Sequence, residues 1–457
     1  MTAIFWFHRD HRLSDNEALA AALTAGQVLP VAVLDMGWLR GLSSARAHSW
    51  VESLRALDTS LPAGLEVITV QDEAAIAPAL VETAQKHAIG KIFATKAYDP
   101  DSQRRQSEVA KVFANAGGTV ELVGSHYAVA PGMVRKPIDG TPYRVYTPFY
   151  RAWSDVGWQR PIALPQVAQW VAPSIRSDFR FVLEPAPFPI RAGEDFAKQT
   201  FEKFAHRALG AYREMRDRAD LSGTSHLSHA LAHGEIHPRT LLAALGDLPG
   251  HETFRKEIAW REFYADVLFW NPKSQTEYLD ERYRLMRYDS GPVADSRLDA
   301  WRNGLTGYPM VDAGMRQLQH AGWMHNRVRM IVASFLVKDL HLEWQLGASQ
   351  FEQWLTDFDP ASNSHGWQWT AGCGTDASPY FRVFNPVLQG LKFDPSGDYV
   401  RRWIPELRHI AGPAVHEPWN LIDGGQYGYP APIVDHATER DEALRRLEEL
   451  KVRAVKP

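Results

Sequence analysis

The sequence predicts an α/β N-terminal domain, built on a doubly wound parallel sheet, which a long linker joins to an all-α C-terminal domain. Over residues 1–130, short apolar runs alternate with helix-forming stretches, a rhythm typical of a parallel sheet with helices on both faces. Prolines punctuate residues 131–195, which favours a long connecting segment. Residues 196–457 lack strand-like runs and show helical periodicity, so we expect helices there.

The predicted strands are short, continuous apolar runs, as expected for strands that are buried on both faces. They are Ala3–Phe7, Val28–Leu34, Glu66–Val70, Lys91–Thr95 and Thr119–Val123. Between them we expect a helix capped by Asp15 or Asn16 and ending at Leu23, one capped by Ser43 or Ser44 and ending near Leu61, and helices Ala75–His87 and Ser102–Ala116. The glycine-rich patterns of phosphate-binding loops are absent from this region.

The C-terminal region has helix-forming composition or apolar residues that recur with helical spacing. The predicted helices are Asp195–Arg216, Pro238–Leu245, His251–Leu268, Val311–His320, Asn326–His341, Ala348–Leu355 and Thr438–Lys451. By contrast, the polar segment Asp357–Trp369 interrupts the helical pattern and is predicted to be a loop.

Composition and charge exclude several classes of protein. The net charge of -4 excludes a polycation, so a nucleic-acid surface must be a local basic patch. The single cysteine, Cys373, cannot form an internal disulfide, which favours a reducing, cytoplasmic compartment. We expect neither a signal peptide nor a membrane span, because the N-terminus is charged and long apolar windows are absent. The sixteen tryptophans are an unusual number and require an explanation.

The segment from Gly322 to Asn385 mixes large aromatic side chains with polar groups. A packed core disfavours the polar groups and a solvated surface disfavours tryptophan, whereas a site that stacks flat rings and hydrogen-bonds their edges requires both. The residues concerned are Trp323, Trp344, Trp354, Trp367 and Trp369, with Asn326, Arg327, Arg329, Asp357, Asp359 and Asn363.

The segment GTSHLSHAL places three hydroxyls, those of Thr224, Ser225 and Ser228, at the start of a predicted helix. Hydroxyls and unpaired backbone N–H groups together form an anion site. The alternative interpretation is an ordinary N-cap, and the residues themselves do not separate the two.

The segment KEIAWREFYADVLFWNP places Glu257, Trp260, Arg261 and Tyr264 on one helix face. A carboxylate, an indole and a guanidinium on one face are able to read the edge of a base and stack on its ring. The alternative is an amphipathic helix that carries a Glu–Arg pair.

The segment GWMHNRVRM contributes two kinds of side chain. Asn326 and Arg327 are adjacent and therefore point in different directions on a helix, whereas Arg329 lies near Asn326. One face thus suits an internal ligand while another suits phosphate, within a locally basic region. We expect a carboxylate of the segment that follows, that of Asp357 or Asp359, to pair with Arg329 or to accept from a heterocycle N–H, and we predict no metal site there.

Ten segments together resemble the photolyase/cryptochrome family, from about residue 3 to about residue 420 and in family order. They are WFHRD, RLSDNEAL, TPF near position 148, TSHLS, WREFY, TGYPMVDAGMRQL, WMHNRVRM, ASFLVKDL, GWQW and FRVFNP. The resemblance is closest to class I cyclobutane pyrimidine dimer (deoxyribodipyrimidine) photolyases. Asn326 stands where (6-4) photolyases carry His, and Met330 stands where DASH cryptochromes carry Gln. Asn363 also matches, whereas plant cryptochromes have Asp there.

The resemblance implies a carbon–carbon lyase that repairs DNA with light. Excited, fully reduced, anionic FAD in the helical domain would give an electron to a flipped-out pyrimidine dimer, and the electron would return after the dimer splits. The expected partner is ultraviolet-damaged DNA, and we expect a monomer. The alternative is a cryptochrome-like blue-light photoreceptor without repair activity. A folate or a deazaflavin antenna is possible in the α/β domain, and the sequence does not decide between them.

The resemblance also assigns roles to individual residues. The dimer pocket would contain Glu257, Trp260, Asn326, Met330 and Trp369. FAD would be held by Tyr212, Thr224, Ser225, Leu227, Ser228, Arg329, Asp357, Asp359 and Asn363. DNA contacts would come from Arg216, Arg261, Arg327, Arg382 and Gln389.

The chain departs from the family pattern in the electron path and at four histidines. Trp367 and Trp344 match the inner two tryptophans of the path that reduces the flavin, but Gly291 stands where the outer one is usual. Tyr288, Trp270 and Tyr283 are candidates to replace it. The departures in the phosphate loop and near the N-terminus are His226, His229, His8 and His11.

Overall fold

The computed structural model describes residues 1–174, 179, 181, 183–186 and 188–455. The chain divides into two compact units, which are described separately. Unit 1 consists of Met1–Gly210 and Ser225–Pro272, and unit 2 of Ala211–Thr224 and Lys273–Pro457. The domain limits expected from the sequence, at 130 and 195, stay a prediction. Residues 175–178, 180, 182 and 187 of the predicted linker, and 456–457 of the predicted helical domain, lie outside the described residues.

Unit 1 contains a five-stranded parallel sheet in the order β3-β2-β1-β4-β5. Its strands are β1 (Thr2–Phe7), β2 (Gln27–Asp35), β3 (Glu66–Val70), β4 (Lys91–Thr95) and β5 (Thr119–Val123). All five predicted strands are therefore confirmed. Along β1, Phe5 and Phe7 join one apolar cluster while Ile4 and Trp6 join another. Because both faces are covered in the middle of the sheet, β1, β2 and β4 have continuous rather than alternating apolar sequences, whereas the edge strands β3 and β5 are partly exposed.

Helices surround the sheet and continue into the rest of unit 1. They are α1 (Glu17–Ala25), α2 (Met36–Arg40), α3 (Ser44–Ser60), α4 (Ile76–Lys86), α5 (Pro100–Asn115), α6 (Tyr146–Val156) and α7 (Glu194–Arg207). After α8 (Tyr212–Met215), which belongs to unit 2, unit 1 continues with α9 (Ser228–His233), α10 (Pro238–Ala243) and α11 (Pro249–Trp270). The side chains of Asn16 and Ser43 accept from backbone N–H groups in the first turns of α1 and α3. The structure thus selects these two residues from the predicted capping pairs.

Every regular element in the described part of unit 2 is helical. The helices are α8 (Tyr212–Met215), α12 (Pro292–Arg302), α13 (Pro309–Ala321), α14 (Asn326–Ser334), α15 (Trp344–Trp354), α16 (Pro360–Ala371), α17 (Pro386–Phe393), α18 (Asp398–Trp403) and α19 (His436–Val455). A single apolar core includes the fully buried Trp301 and Trp344 and the nearly buried Trp367. No helix in the described residues is long and apolar enough to cross a bilayer.

Two predicted elements were wrong. The helix expected at Asp195–Arg216 is interrupted, because α7 ends at Arg207 and a 3₁₀ turn, Leu209–Ala211, precedes α8. Gly210 in this turn is a poor helix former. The loop expected at Asp357–Trp369 is mostly α16, whose N-cap Asp359 accepts from the backbone N–H of Ser362 at 2.8 Å. Pro360 at the first helical position needs no N–H partner, so a polar segment starts a helix.

The helix expected at Asn326–His341 changes character after α14. Phe335–Asp339 forms a π-helical turn that places Lys338 inside the protein, with only 1% of the residue exposed. The Lys338 ammonium donates to the carbonyl of Arg382 at 3.0 Å and lies 5.1 Å from the ring centre of Tyr380. Burial lowers the pKa of Lys338 to about 8. This turn therefore fixes the segment that carries Arg382 from within the core.

Candidate functional site

An ion pair between Arg329 and Asp357 connects α14 to the segment before α16. Arg329 Nη2 donates to Asp357 Oδ2 at 2.7 Å, and Arg329 Nε donates to the carbonyl of Met324 at 2.8 Å. The Asp357 side chain is 1% exposed and that of Arg329 is 24% exposed. This is one of the pairings that the sequence analysis predicts, and it holds a carboxylate in the interior of unit 2.

Asn363 and Asp357 each present a buried acceptor atom. Asn363 Nδ2 donates to the carbonyl of Ala348 in α15 at 3.0 Å, which fixes the orientation of the amide. Asn363 Oδ1 and Asp357 Oδ1 are buried and, within the described residues, have no hydrogen-bond partner. Buried polar atoms are nearly always paired in folded proteins. The two oxygens are therefore suited to a ligand that carries N–H donors.

Three residues assigned to the dimer pocket belong to α14 and α16, which pack against each other. Asn326 is the first residue of α14 and is exposed, and Met330 lies one turn later on the same face. Trp369, in α16, is partly buried, and its carbonyl accepts from the backbone N–H of Ser378 at 3.1 Å. Two packed helices of unit 2 thus carry a partly exposed indole, a partly exposed thioether and an exposed amide.

Trp260 in unit 1 has one covered face. Its ring stacks on Tyr146 with centroids 3.7 Å apart and an interplanar angle of 8°. Tyr146 is fixed in turn because its hydroxyl donates to the carbonyl of Lys256 at 2.7 Å. Trp260 is partly exposed, as is Glu257 three residues earlier in α11. An indole that is braced from behind is suited to stacking on a flat ring in front.

The three hydroxyl residues of segment 224–228 are divided between the two units: Thr224 belongs to unit 2, whereas Ser225 and Ser228 belong to unit 1. In unit 1, Ser225 Oγ accepts from the backbone N–H of Leu227 at 3.3 Å, and Leu227 is buried. α9 begins at Ser228, and its N-cap residue, Leu227, makes no side-chain capping hydrogen bond. In unit 2, Thr224 is partly exposed and Tyr212 is buried at the start of α8.

The residues assigned to DNA differ in their surroundings. Arg327 Nη2 donates to Asp217 Oδ1 at 2.9 Å, and Arg216 Nε lies 3.7 Å from the same oxygen. Arg261 donates to two backbone carbonyls of unit 1, and its guanidinium lies 4.5 Å from the ring centre of Tyr127. Arg382 is exposed, and Gln389 is partly buried in α17.

The two tryptophans assigned to electron transfer contact the same helix. Trp344 is the first residue of α15, and the ring of Trp367 lies against Gly347 one turn later. Gly291 is exposed, precedes α12 and has a φ of +85°, a conformation in which a tryptophan would be strained. The glycine is therefore explained by local backbone geometry.

The four histidine departures have different environments. His8 and His11 in unit 1 have lowered pKa values, chiefly because of burial, and that of His11 falls to about 4. The ring of His229 stacks on that of His233 with centroids 4.2 Å apart. His226 is exposed and has a left-handed φ of +53°. Within the described residues, no group of three or more His, Cys, Asp or Glu side chains could hold a metal ion.

Residues 3–167 match the sequence family described as DNA photolyase, and residues 254–449 match that described as FAD binding domain of DNA photolyase. The deoxyribodipyrimidine photo-lyase of Alkalihalophilus pseudofirmus is 36% identical, and the match covers 96% of each chain. The chain belongs to the DNA photolyase family. A crystal structure of a bacterial class III photolyase from Agrobacterium tumefaciens superimposes with a TM-score of 0.86 at 35% identity, over 98% of each chain.

A second photolyase structure, from Sulfolobus tokodaii, superimposes with a TM-score of 0.83 at 28% identity, over 98% of this chain and 100% of that one. It is described as holding two FAD molecules, with the implication of a novel light-harvesting cofactor. These findings confirm the predicted family and the predicted fold. The class within the photolyase family stays a prediction.

The residues of unit 2 fit a flavin. An isoalloxazine ring has an N–H group in its pyrimidine part and gains another at N5 on reduction, and both require acceptors. Asp357 Oδ1 and Asn363 Oδ1 are buried acceptors that the described residues leave without a partner. This match concerns the chemistry of the donors and acceptors and does not depend on the family assignment.

Tyr146 behind Trp260 is a contribution that the sequence analysis missed. Tyr146 is distant in sequence and no periodic pattern connects the two residues. The only signal was the cluster of aromatic residues between 143 and 158, inside the predicted linker, which required a surface to pack against. In the structure this cluster forms α6, which packs on α11.

Proposed function

We infer that this chain is a deoxyribodipyrimidine photo-lyase, which repairs pyrimidine dimers in ultraviolet-damaged DNA with light. The observation that carries the inference is the match to photolyases over nearly the whole chain, in both the α/β and the FAD-binding regions. The two buried acceptors, Asp357 Oδ1 and Asn363 Oδ1, support it independently.

When bound, reduced FAD supplies one electron under light, which splits the dimer and is then recovered. The protein's own task is to hold and orient the reacting groups. Arg329, Asp357, Asp359 and Asn363 would hold the isoalloxazine, and Asp359 also caps the helix that carries Asn363. Tyr212, Thr224, Ser225, Leu227 and Ser228 would hold the rest of the cofactor.

We propose that each unit contributes residues that contact the lesion. In unit 1, Trp260, whose ring stacks on Tyr146, would stack on the lesion, and Glu257 would hydrogen-bond a pyrimidine. In unit 2, Trp369 would also stack on the lesion, and Asn326 and Met330 would contact it. Extrusion of a dimer is favourable relative to that of a normal base because the damage already weakens stacking and pairing.

Arginine contacts would position the DNA strand. We propose that Arg216, Arg261, Arg327, Arg382 and Gln389 contact the backbone, so that affinity falls as salt rises. We also propose a cytoplasmic monomer that holds FAD. A second chromophore, folate or deazaflavin, would serve as antenna, in the same kind of role that is implied for the second FAD of the Sulfolobus tokodaii relative.

The purified protein, with its FAD fully reduced, is expected to remove dimers from ultraviolet-irradiated DNA under blue light and not in darkness. The dimers remaining in an irradiated oligonucleotide are counted after equal times in light and dark. Unirradiated DNA of the same sequence is the control. If dimers persist in the light while the FAD is fully reduced, the chain is not a repair enzyme, and the photoreceptor alternative takes its place.

Truncation of Trp260 to alanine is expected to weaken binding of damaged DNA by about 1–3 kcal/mol, because one stacking wall is lost. Binding to an oligonucleotide with a single dimer is measured in darkness, so that turnover does not interfere. Trp38→Ala is the matched control, since Trp38 is also a partly exposed indole of unit 1 that packs edge-on against another ring. Equal affinity of Trp260→Ala and the native protein would place Trp260 in the core only.

A further inference from the structure

Trp344, the outer of the two tryptophans assigned to electron transfer, has a tyrosine next to it. The ring of Tyr278 meets Trp344 edge-on, with centroids 6.2 Å apart and an interplanar angle of 86°. Tyr288 then stacks on Tyr278 with centroids 6.3 Å apart and an angle of 19°. Tyr278 is buried and Tyr288 is partly exposed, so the series leads from the core toward the surface of unit 2.

The hydroxyl of Tyr278 has a carboxylate next to it. Tyr278 Oη lies 3.3 Å from Glu343 Oε1 and donates to it. Glu343 is exposed and immediately precedes Trp344, so the electron acceptor and the proton acceptor of Tyr278 are consecutive residues. Burial raises the pKa of Tyr278 above its ordinary value, which keeps the phenol protonated until it is oxidised.

The tryptophans lack such an acceptor. The indole N–H groups of Trp344 and Trp367 are buried and, among the described residues, have no hydrogen-bond partner. An oxidised indole at either position therefore cannot pass its proton to a neighbouring group and stays a cation, which keeps it a strong oxidant. Trp301, which meets Trp367 at 6.1 Å, donates its N–H to the carbonyl of Val332 and is completely buried. A backbone carbonyl is too weak a base to take the indole proton, so oxidation of Trp301 would not be stabilised by loss of a proton.

We propose that Tyr278 is the terminal electron donor of this chain, with Glu343 as its proton acceptor and the partly exposed residue Tyr288 as its route to a reductant in solution. The proposal rests on the proposed function, because the oxidant of Trp344 would be the light-excited, oxidised flavin, which would take the electron through Trp367. One electron then passes from Tyr278 to the Trp344 radical cation, and the phenolic proton passes to the Glu343 carboxylate. The products are neutral Trp344, a neutral Tyr278 radical and a protonated Glu343. A thiolate in solution then gives one electron through Tyr288 and becomes a thiyl radical, while the proton returns from Glu343 to Tyr278.

The other replacement candidates have different surroundings. The ring centroids of Tyr283 and Tyr380 are 5.9 Å apart, and burial raises the pKa of Tyr283. In the part of the chain that the structure describes, no carboxylate accepts a hydrogen bond from the Tyr283 hydroxyl. Trp270 belongs to unit 1, where the guanidinium of Arg135 lies 4.8 Å from its ring centre. A positive charge at that distance opposes the removal of an electron from the indole.

The test is electron paramagnetic resonance of the full-length protein with oxidised FAD, frozen after a light flash without added thiol. The native protein is expected to show a neutral tyrosyl radical, and ring-deuterated tyrosine confirms its type by narrowing the signal. Tyr278→Phe should lower the tyrosyl yield at least ten-fold. Tyr283→Phe is the matched control, a buried tyrosine of the same unit, and should keep the native yield. Retention of the signal in Tyr278→Phe, or its loss in Tyr283→Phe, overturns the proposal.

Two further variants separate the roles of the neighbours. Glu343→Gln changes an exposed residue and leaves the ring contacts intact, and it should slow formation of the radical at least ten-fold because an amide cannot take the proton. Tyr288→Phe should lengthen the life of the radical in the presence of thiol. Formation at the native rate in Glu343→Gln removes Glu343 from the step, and an unchanged lifetime removes Tyr288.

The outcome is independent of repair. Dimer removal by the chemically reduced native protein is measured in parallel, and it reports the proposed function without any use of the electron path. A tyrosyl radical without repair would contradict the repair function, whereas repair without a Tyr278 radical would contradict only the relay.

Discussion

Replacement of Arg329 with methionine is expected to lower the free energy of unfolding by about 3 kcal/mol, because it leaves the Asp357 carboxylate buried without its partner. The loss should fall at the low end of the usual range, since the Arg329 side chain is 24% exposed and Asp357 1% exposed. We also expect the variant to lose bound FAD. Denaturant unfolding followed by circular dichroism gives the stability, and the flavin absorbance of the purified protein gives the occupancy.

Two further variants test whether the loss of stability in Arg329→Met comes from the buried, unpaired charge of Asp357. Arg284→Met removes the same charge from the exposed pair with Glu277 and should change stability by less than about 1 kcal/mol. Asp357→Asn combined with Arg329→Met removes both charges and should recover part of the stability, although not the FAD. Equal stability of Arg329→Met and the native protein would mean that Asp357 is not held as a charged partner.

Replacement of Gly347 with alanine is expected to destabilise the protein by about 2 kcal/mol, although alanine is normally the better helix former. A Cβ atom at this position would lie 2.0 Å from Cη2 of Trp367. Trp367 is 3% exposed and packs edge-on against Phe351 with centroids 5.0 Å apart, so the indole cannot move aside without disturbing the core.

The matched control for Gly347→Ala is Ser349→Ala, a small-to-alanine change at an exposed position of the same helix. Its effect should stay within about 0.5 kcal/mol. Both variants are compared by thermal and denaturant unfolding, and tryptophan fluorescence reports the displacement of Trp367. A gain of stability in Gly347→Ala would show that α15 moves freely away from α16.

The parts of the fold that the sequence predicted are those whose pattern is local. β1, β2 and β4 are continuous apolar runs because both faces of the sheet are buried along them, and each run is visible without knowledge of its neighbours. The start of α16 was also encoded locally, by Asp359 and Pro360, but its polar composition was interpreted as a loop. The ability of Asp359 to cap a helix therefore predicts the structure of this segment better than its polar composition does.

The candidate site was predictable only through motifs. The Asp357–Arg329 pair followed from charge, whereas the buried acceptor on Asn363 depends on the carbonyl of Ala348 in another helix. Likewise, Tyr146 behind Trp260 and Tyr278 beside Trp344 are contacts between segments that are distant in sequence. No spacing rule connects such residues, because their approach is decided by packing in three dimensions.

The buried amine of Lys338 is a site at which local opening of the protein can be detected by chemical labelling. With a pKa of about 8 the amine is largely neutral in mildly alkaline solution and therefore nucleophilic, yet the π-helical turn and the Arg382 carbonyl shield it from solvent. An acylating reagent reaches it only when the chain around Arg382 lifts away. The rate at which Lys338 is acylated therefore measures how often the segment that carries Arg382, a proposed DNA contact, opens.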